Sequence, residues 1–148
     1  MGFGLPAALG AKCAEPDIPV VLIIGDGGLQ VSGMELATLA KLELGIPIFV
    51  FCDGRFGAIH QQQTQRFGRT VGTDLPEVRL ESLAATFGLS YETLDNNLAE
   101  ILSESLDRRV PTIIEVELVD SPAIKRQARK SAVKGVIRQL VPDSLLRK

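Results

Sequence analysis

The sequence predicts an α/β fold: a three-layer, doubly wound arrangement in which a mostly parallel sheet carries helices on both faces. Three observations predict it. Continuous aliphatic runs stop abruptly, Val20-Val21-Leu22-Ile23-Ile24 at Gly25 and Ile48-Phe49-Val50-Phe51 at Cys52-Asp53-Gly54. Strands without polar alternation are buried on both sides, the mark of a parallel sheet covered by helices. Segments of helical period alternate with these runs, which is the α/β order, with right-handed crossovers favoured. The 148 residues are 45% hydrophobic but only 5% aromatic, with no tryptophan, so a single domain with a close-packed aliphatic interior is expected.

Each element has its own signal. Pro6 suits the first turn of a helix that runs to about Glu15 and is stopped by Pro16. The first strand, Val20 to Ile24, follows. Ser32-Gly33-Met34-Glu35 has the capping-box pattern, serine at the cap and glutamate three residues on. Leu36, Leu39, Ala40 and Glu43 mark the helix behind it, closed by Gly45 and Pro47, and Ile48 to Phe51 is the second strand. Leu80 to Phe87 is a short helix with Gly88 as its left-handed stop, and Ser90 to Leu94 is a short strand. Asn96 or Asn97 caps a helix with Leu98, Ile101, Leu102 and Leu106 at helical spacing, ended before Pro111. In the last strand, Thr112 to Leu118, Glu115 and Glu117 share a face because side chains alternate with period two. That strand is therefore expected to be half-buried, near an edge.

Residues 1–120 are expected to form the domain, with 121–148 as a basic helical extension broken near Gly135 and Pro142. From Lys125 onward eight basic side chains stand against one acid, Asp143. A solvated helical face is the plain reading, and contact with an acidic partner domain the alternative. The formal net charge of −2 argues against nucleic acid as a partner of the whole domain. Cys13 and Cys52 are too few for a disulfide framework and lie in apolar runs, so both are expected to be buried, reduced thiols. No segment has the about 18 consecutive apolar residues of a bilayer span, so no membrane is expected. Met1-Gly2 opens like a myristoylation signal, but Pro6 stands where serine or threonine is wanted. No secretory signal is seen, and a cytoplasmic setting is expected.

Two strand ends each carry an acid among glycines: Gly25-Asp26-Gly27-Gly28 and Cys52-Asp53-Gly54-Arg55-Phe56-Gly57. In an open α/β sheet, ligands bind beyond the carboxyl ends of the strands, so neighbouring strands would bring Asp26 and Asp53 to one point. Glycine backbones admit an anion to their N–H groups, yet two carboxylates repel an anion unless a cation lies between. Mg²⁺ takes oxygen ligands in octahedral geometry and commonly bridges one or two carboxylates to phosphates. A Mg²⁺-bridged diphosphate site follows. Each acid alone is also read as a turn residue bonded to its own backbone; the pairing at matched positions is what favours the site.

Gly25-Asp26-Gly27, then residues 28 to 52, then Asp53 resembles the signature of thiamine diphosphate (ThDP) enzymes, Gly-Asp-Gly followed at a set interval by Asn. Met1-Gly2-Phe3-Gly4-Leu5-Pro6-Ala7-Ala8-Leu9-Gly10-Ala11-Lys12 and Gly33-Met34-Glu35-Leu36-Ala37-Thr38 are similar to the acetolactate synthase and benzoylformate decarboxylase group. The resemblance covers residues 1 to about 118. It implies the diphosphate-binding domain of that fold, truncated at its N-terminus. It further implies Asp26 and Asp53 as Mg²⁺ ligands through their side chains and Arg55 through its carbonyl, with backbone groups of Gly25, Gly27, Gly28, Phe56 and Gly57 around the diphosphate. Met1 would be the apolar wedge beneath the thiazolium. Ile59, Gln62 and Gln63 would fall in the substrate pocket, an exposed polar helix over Gln61 to Gln65 being the alternative. His60 is expected to contact solvent or a partner. The signature's usual Asn-Asn is Cys52-Asp53 here; aspartate is still a hard oxygen ligand, and it adds a negative charge near the diphosphate.

In that family a glutamate on a separate pyrimidine-binding domain, contributed across an oligomer interface, activates the cofactor. No acid in this sequence matches it, so the catalytic residue is unknown and the chain is not expected to act alone. The resemblance implies a parent enzyme that decarboxylates a small 2-oxo acid. Three classes remain open: an enzyme part needing a pyrimidine domain, a non-catalytic ThDP-binding module, and an inactive remnant.

Overall fold

The structure is a computed structural model and describes residues 1–94 and 97–118. In chain order its elements are α1 (Gly4–Ala14), β1 (Leu22–Gly25), α2 (Asp26–Ser32), α3 (Glu35–Lys41), β2 (Pro47–Cys52), α4 (Gly57–Phe67), α5 (Leu80–Phe87), β3 (Ser90–Thr93), α6 (Leu98–Asp107) and β4 (Thr112–Glu117). The basic extension expected over 121–148 lies outside the described residues.

The four strands form one parallel sheet in the order β1-β2-β4-β3. The chain steps one way from β1 through β2 to β3, then back to β4. Right-handed crossovers put the helices of a reversed step on the opposite face, and the packing agrees. α1, α2, α3 and α5 pack with one another and on one side of the sheet, whereas α6 lies against β2. The expected three-layer α/β architecture, with helices on both faces, is what the chain adopts.

Alternation along the strands divides the core. Ile48 and Val50 of β2 and Ile113 of β4 join Leu5, Leu22, Leu29, Leu36, Leu39, Leu80 and Ala84 in one aliphatic cluster. Phe49, Phe51, Ile114 and Val116 alternate with them and are also buried, on the side that holds α6 and its buried Leu102. β2 is therefore covered on both faces, as its unbroken apolar run predicts. β1 is less buried, with Ile23 and Ile24 only half-covered, because it stands at one edge of the described sheet.

Two expectations need correction here. β4 is not near an edge: it pairs with β2 and β3, and Thr112, Ile113, Ile114 and Val116 are buried. Its glutamates are tolerated because they come at the carboxyl end, where the sheet opens to solvent. The capping box is not made either. Ser32 is the last residue of α2, so its hydroxyl turns back onto the carbonyl of Gly28 at 3.4 Å, and Glu35 accepts instead from the Thr38 hydroxyl at 3.3 Å. α5 ends as its sequence requires, at Gly88 with φ 69°. α1 begins two residues before Pro6, still within the first turn, where a missing N–H costs no intrahelical bond.

Candidate functional site

The register pairs Gly25 with Phe51, so β1 and β2 deliver their following residues side by side at the carboxyl edge of the sheet. Asp26 is the first residue of α2. Its carboxylate joins the two loops: Oδ1 accepts the N–H of Gly27 at 2.8 Å, and Oδ2 accepts the N–H groups of Asp53 at 3.1 Å and Gly54 at 2.8 Å. Asp53 is half-buried, with Oδ1 shut away from solvent. The two acids singled out by the sequence thus meet at one place.

The Asp53–Gly57 loop is held from its other side by residues 73–75, a segment with no periodicity to betray it in the sequence. Phe56 N–H donates to the Thr73 carbonyl at 2.8 Å and Leu75 N–H to the Gly54 carbonyl at 2.9 Å. These bonds flank an antiparallel bridge between Arg55 and Asp74. The Arg55 guanidine Nε donates to the Asp53 carbonyl at 3.3 Å. Gly27 is buried against this loop, and a Cβ there would stand 2.7 Å from the Phe56 ring, closer than carbon atoms can approach. The glycine is needed for that contact. With Phe56 as the residue before it, α4 begins at Gly57; the first N–H groups of a helix have no intrahelical acceptor and favour an anion.

The other expected residues are placed as follows. Gln62 and Ile59 are exposed on α4, and Gln63 is half-buried. The Gln63 amide is engaged with Val71, accepting its N–H at 2.7 Å and donating to its carbonyl at 3.3 Å. His60 does not face solvent alone: its Nδ1 lies 3.1 Å from the hydroxyl of Thr73, so it contacts its own chain. Met1 is 77% exposed, and Gly2 beside it backs onto Val31 of α2. Neither cysteine is fully buried as expected: Cys52 is half-buried, and Cys13 is exposed because α1 buries only Leu5 and Ala8.

A cleft of about 520 Å³ opens beside Asp26 and Gly54, walled by Leu29, Met34, Leu75 and Leu80 and with Cys52 and Glu115 at the sheet. Glu115, which the sequence offers only as a strand residue, accepts the Tyr91 hydroxyl at 2.6 Å, and that bond raises the tyrosine's pKa. The Cys52 thiol is pushed up to about 12 by burial, then by Glu115, Asp26, Glu117 and Asp53 in that order. The carboxyl edge of the sheet is therefore a region of negative potential that favours a cation.

The donor chemistry fits a magnesium-bound diphosphate. A carboxylate oxygen has two acceptor directions, so Asp26 Oδ1, holding one N–H, keeps capacity for a metal while its backbone bonds persist. Asp53 and the backbone carbonyls of its loop are likewise hard oxygen donors. Among the described residues no group of three or more His, Cys, Asp or Glu side chains is arranged to hold a metal, so any ion here would need ligand oxygens beyond the two aspartates.

Comparison with known proteins gives the family to which this fold belongs. The family model described as "Thiamine pyrophosphate enzyme, C-terminal TPP binding domain" matches residues 1–116. The chain is 38% identical over 124 residues to acetolactate synthase isozyme 1 large subunit of Escherichia coli, covering 80% of this chain and 22% of that protein. It is 34% identical over 119 residues to acetolactate synthase of Bacillus subtilis, covering 78% and 21%. Among solved structures, thiamine diphosphate-dependent 4-hydroxybenzoylformate decarboxylase of Rhodococcus jostii is similar with a TM-score of 0.72 and 31% identity, over 79% of this chain and 23% of that one. The chain thus spans about a fifth of the length of the curated relatives it matches.

Proposed function

Because the chain belongs to the thiamine pyrophosphate enzyme family, as its C-terminal TPP-binding domain, we propose that it binds ThDP through Mg²⁺ and serves a 2-oxo acid decarboxylase or acetolactate synthase-like enzyme. Asp26 and Asp53 are the side-chain ligands of the ion and Arg55 contributes its carbonyl. The backbone around Gly25, Gly27, Gly28, Phe56 and Gly57 borders the diphosphate; because Phe56 N–H is held by Thr73, the N–H groups that open α4 are the better donors there. Met1 would contact the thiazolium, and Ile59, Gln62 and Gln63 would border the substrate. The observation that supports this reading is the carboxylate of Asp26 bonded to the N–H groups of Asp53 and Gly54, which puts both acids at one carboxyl edge of a parallel sheet.

Bound ThDP supplies the electron sink for breaking a carbon–carbon bond beside a carbonyl. The residues of this chain bind and orient: the two aspartates neutralise the cation, and the opening turn of α4 offers N–H groups to the anion. The activating acid comes from a pyrimidine-binding domain, so function requires that domain and an oligomeric assembly, with a small 2-oxo acid as substrate. No helix among the described residues is long and apolar enough to cross a membrane. We place the protein in the cytoplasm, with no nucleic-acid or membrane partner.

The test is a calorimetric titration of ThDP into the chain with Mg²⁺, beside Asp26→Ala and Asp53→Ala. Mg²⁺-dependent heat in the wild type, lost in both variants, is the expected result. Binding that is unchanged in either variant would remove that aspartate from the site.

A further inference from the structure

Residues 71–76, between α4 and α5, form none of the named helices or strands, and no part of the cofactor signature falls on them. Thr73 is 1% exposed, although Gly72 and Asp74 on either side are exposed, so the chain dips inward at this residue alone. The Thr73 carbonyl takes the Phe56 N–H at 2.8 Å and its hydroxyl meets His60 Nδ1 at 3.1 Å. Before it, Val71 is gripped at both backbone groups by Gln63. After it, Leu75 N–H bonds the Gly54 carbonyl, a Leu75 methyl lies 3.3 Å from where a Cβ on Gly27 would stand, and the Pro76 carbonyl accepts from Gln30 of α2 at 3.3 Å. One short stretch therefore touches α2, α4 and both acidic loops.

The bond from Phe56 has a specific consequence. Phe56 N–H and the Arg55 carbonyl belong to one planar trans peptide unit and point in opposite directions. Fixing the N–H on Thr73 fixes where the Arg55 carbonyl is aimed. The second bond, at Gly54, fixes the peptide one residue away, so the backbone on both sides of Arg55 is set by the strap rather than by the sheet.

We propose that 71–76 is a strap that positions the Asp53–Gly57 loop for its metal, with Thr73 as the principal positioning residue, held at depth by His60 and Gln63. The proposal rests on the Mg²⁺–ThDP reading above. Residues that orient a metal's ligands typically change affinity about 10- to 100-fold when removed.

The experiment is a titration of the full chain with Mn²⁺ as a paramagnetic stand-in for Mg²⁺, with ThDP present, together with amide hydrogen exchange at Phe56 and Leu75. Thr73→Val keeps the shape and the carbonyl but loses the hydroxyl. It is expected to bind Mn²⁺ about tenfold more weakly and to exchange faster at both amides, with Thr73→Ser restoring both. If Thr73→Val fails to fold, Gln63→Ala releases the strap at its other anchor and is expected to shift both readouts the same way. Wild-type affinity in Thr73→Val, or in Gln63→Ala where it is the variant used, overturns the strap alone. A wild-type chain that takes up no Mn²⁺ with ThDP overturns the cofactor reading and the strap together.

Discussion

Asp26 ties two loops together with one carboxylate. It accepts backbone N–H groups from its own loop and from the loop after β2, and it keeps an acceptor direction for a cation. Its place in the signature is legible from sequence, but the structural half of its work is not, because the N–H groups of Asp53 and Gly54 come near only when β1 and β2 pair. Thr112 shows the opposite situation. Its hydroxyl is buried with no hydrogen-bond partner among the described residues, as is that of Ser105. A buried polar group left without a partner costs about 1–3 kcal/mol. Thr112→Val retains the branched shape at a central strand and is expected to raise stability by about 1 kcal/mol, read as a higher urea midpoint. A lower midpoint would mean that the hydroxyl is satisfied in solution.

At the scale of elements, hydrophobic period and glycine stops were reliable and the capping pattern was not. The runs ending at Gly25 and Cys52 and the helix ended by Gly88 appear where the sequence puts them. The capping pattern at Ser32 failed because α2, a helix of seven residues that starts directly at Asp26, reaches that serine first. The amino edge of the sheet has its own constraint: a Cβ on Gly45 would run into the carbonyl oxygen of Arg108, where the chain enters β4 beside β2 and Thr112 N–H bonds the Ile46 carbonyl. Gly45→Ala is therefore expected to cost about 3 kcal/mol or more, since the neighbour is backbone and cannot rotate away. Gly10→Ala on α1, where nothing lies within 4 Å of the new Cβ, is expected to be stabilising by about 0.5–1 kcal/mol. Chemical denaturation of the pair checks both; equal midpoints would show that the Gly45 contact relaxes at little cost.

For the whole molecule, the near-neutral formal charge conceals a division. Residues 1–118 hold sixteen acids against eight bases, and several of those acids sit at the carboxyl edge of the sheet around Cys52. A cation that binds only the folded form of such an edge stabilises it by mass action. With ThDP and Mg²⁺ at about 100 times their dissociation constant, the gain is about 2.7 kcal/mol. The expected outcome is a raised melting temperature that requires both ligands and is absent in Asp26→Asn. An equal rise with Mg²⁺ alone would indicate general screening of the acidic edge in place of a shared site.

The sequence by itself determined the fold class, the order of the strands along the chain and the pair of acids that follow β1 and β2, because hydrophobic period and glycine punctuation are local properties. Only the tertiary structure decided that β4 lies inside the sheet, that Gln63 and His60 are turned onto residues 71–73, and that Thr73 and Leu75 hold the loop after β2. Those outcomes depend on which distant segments meet. Backbone hydrogen bonds between residue 56 and residue 73, and between residue 75 and residue 54, leave no periodic trace in the amino-acid order, since backbone groups are the same at every position and only the fold selects which of them pair.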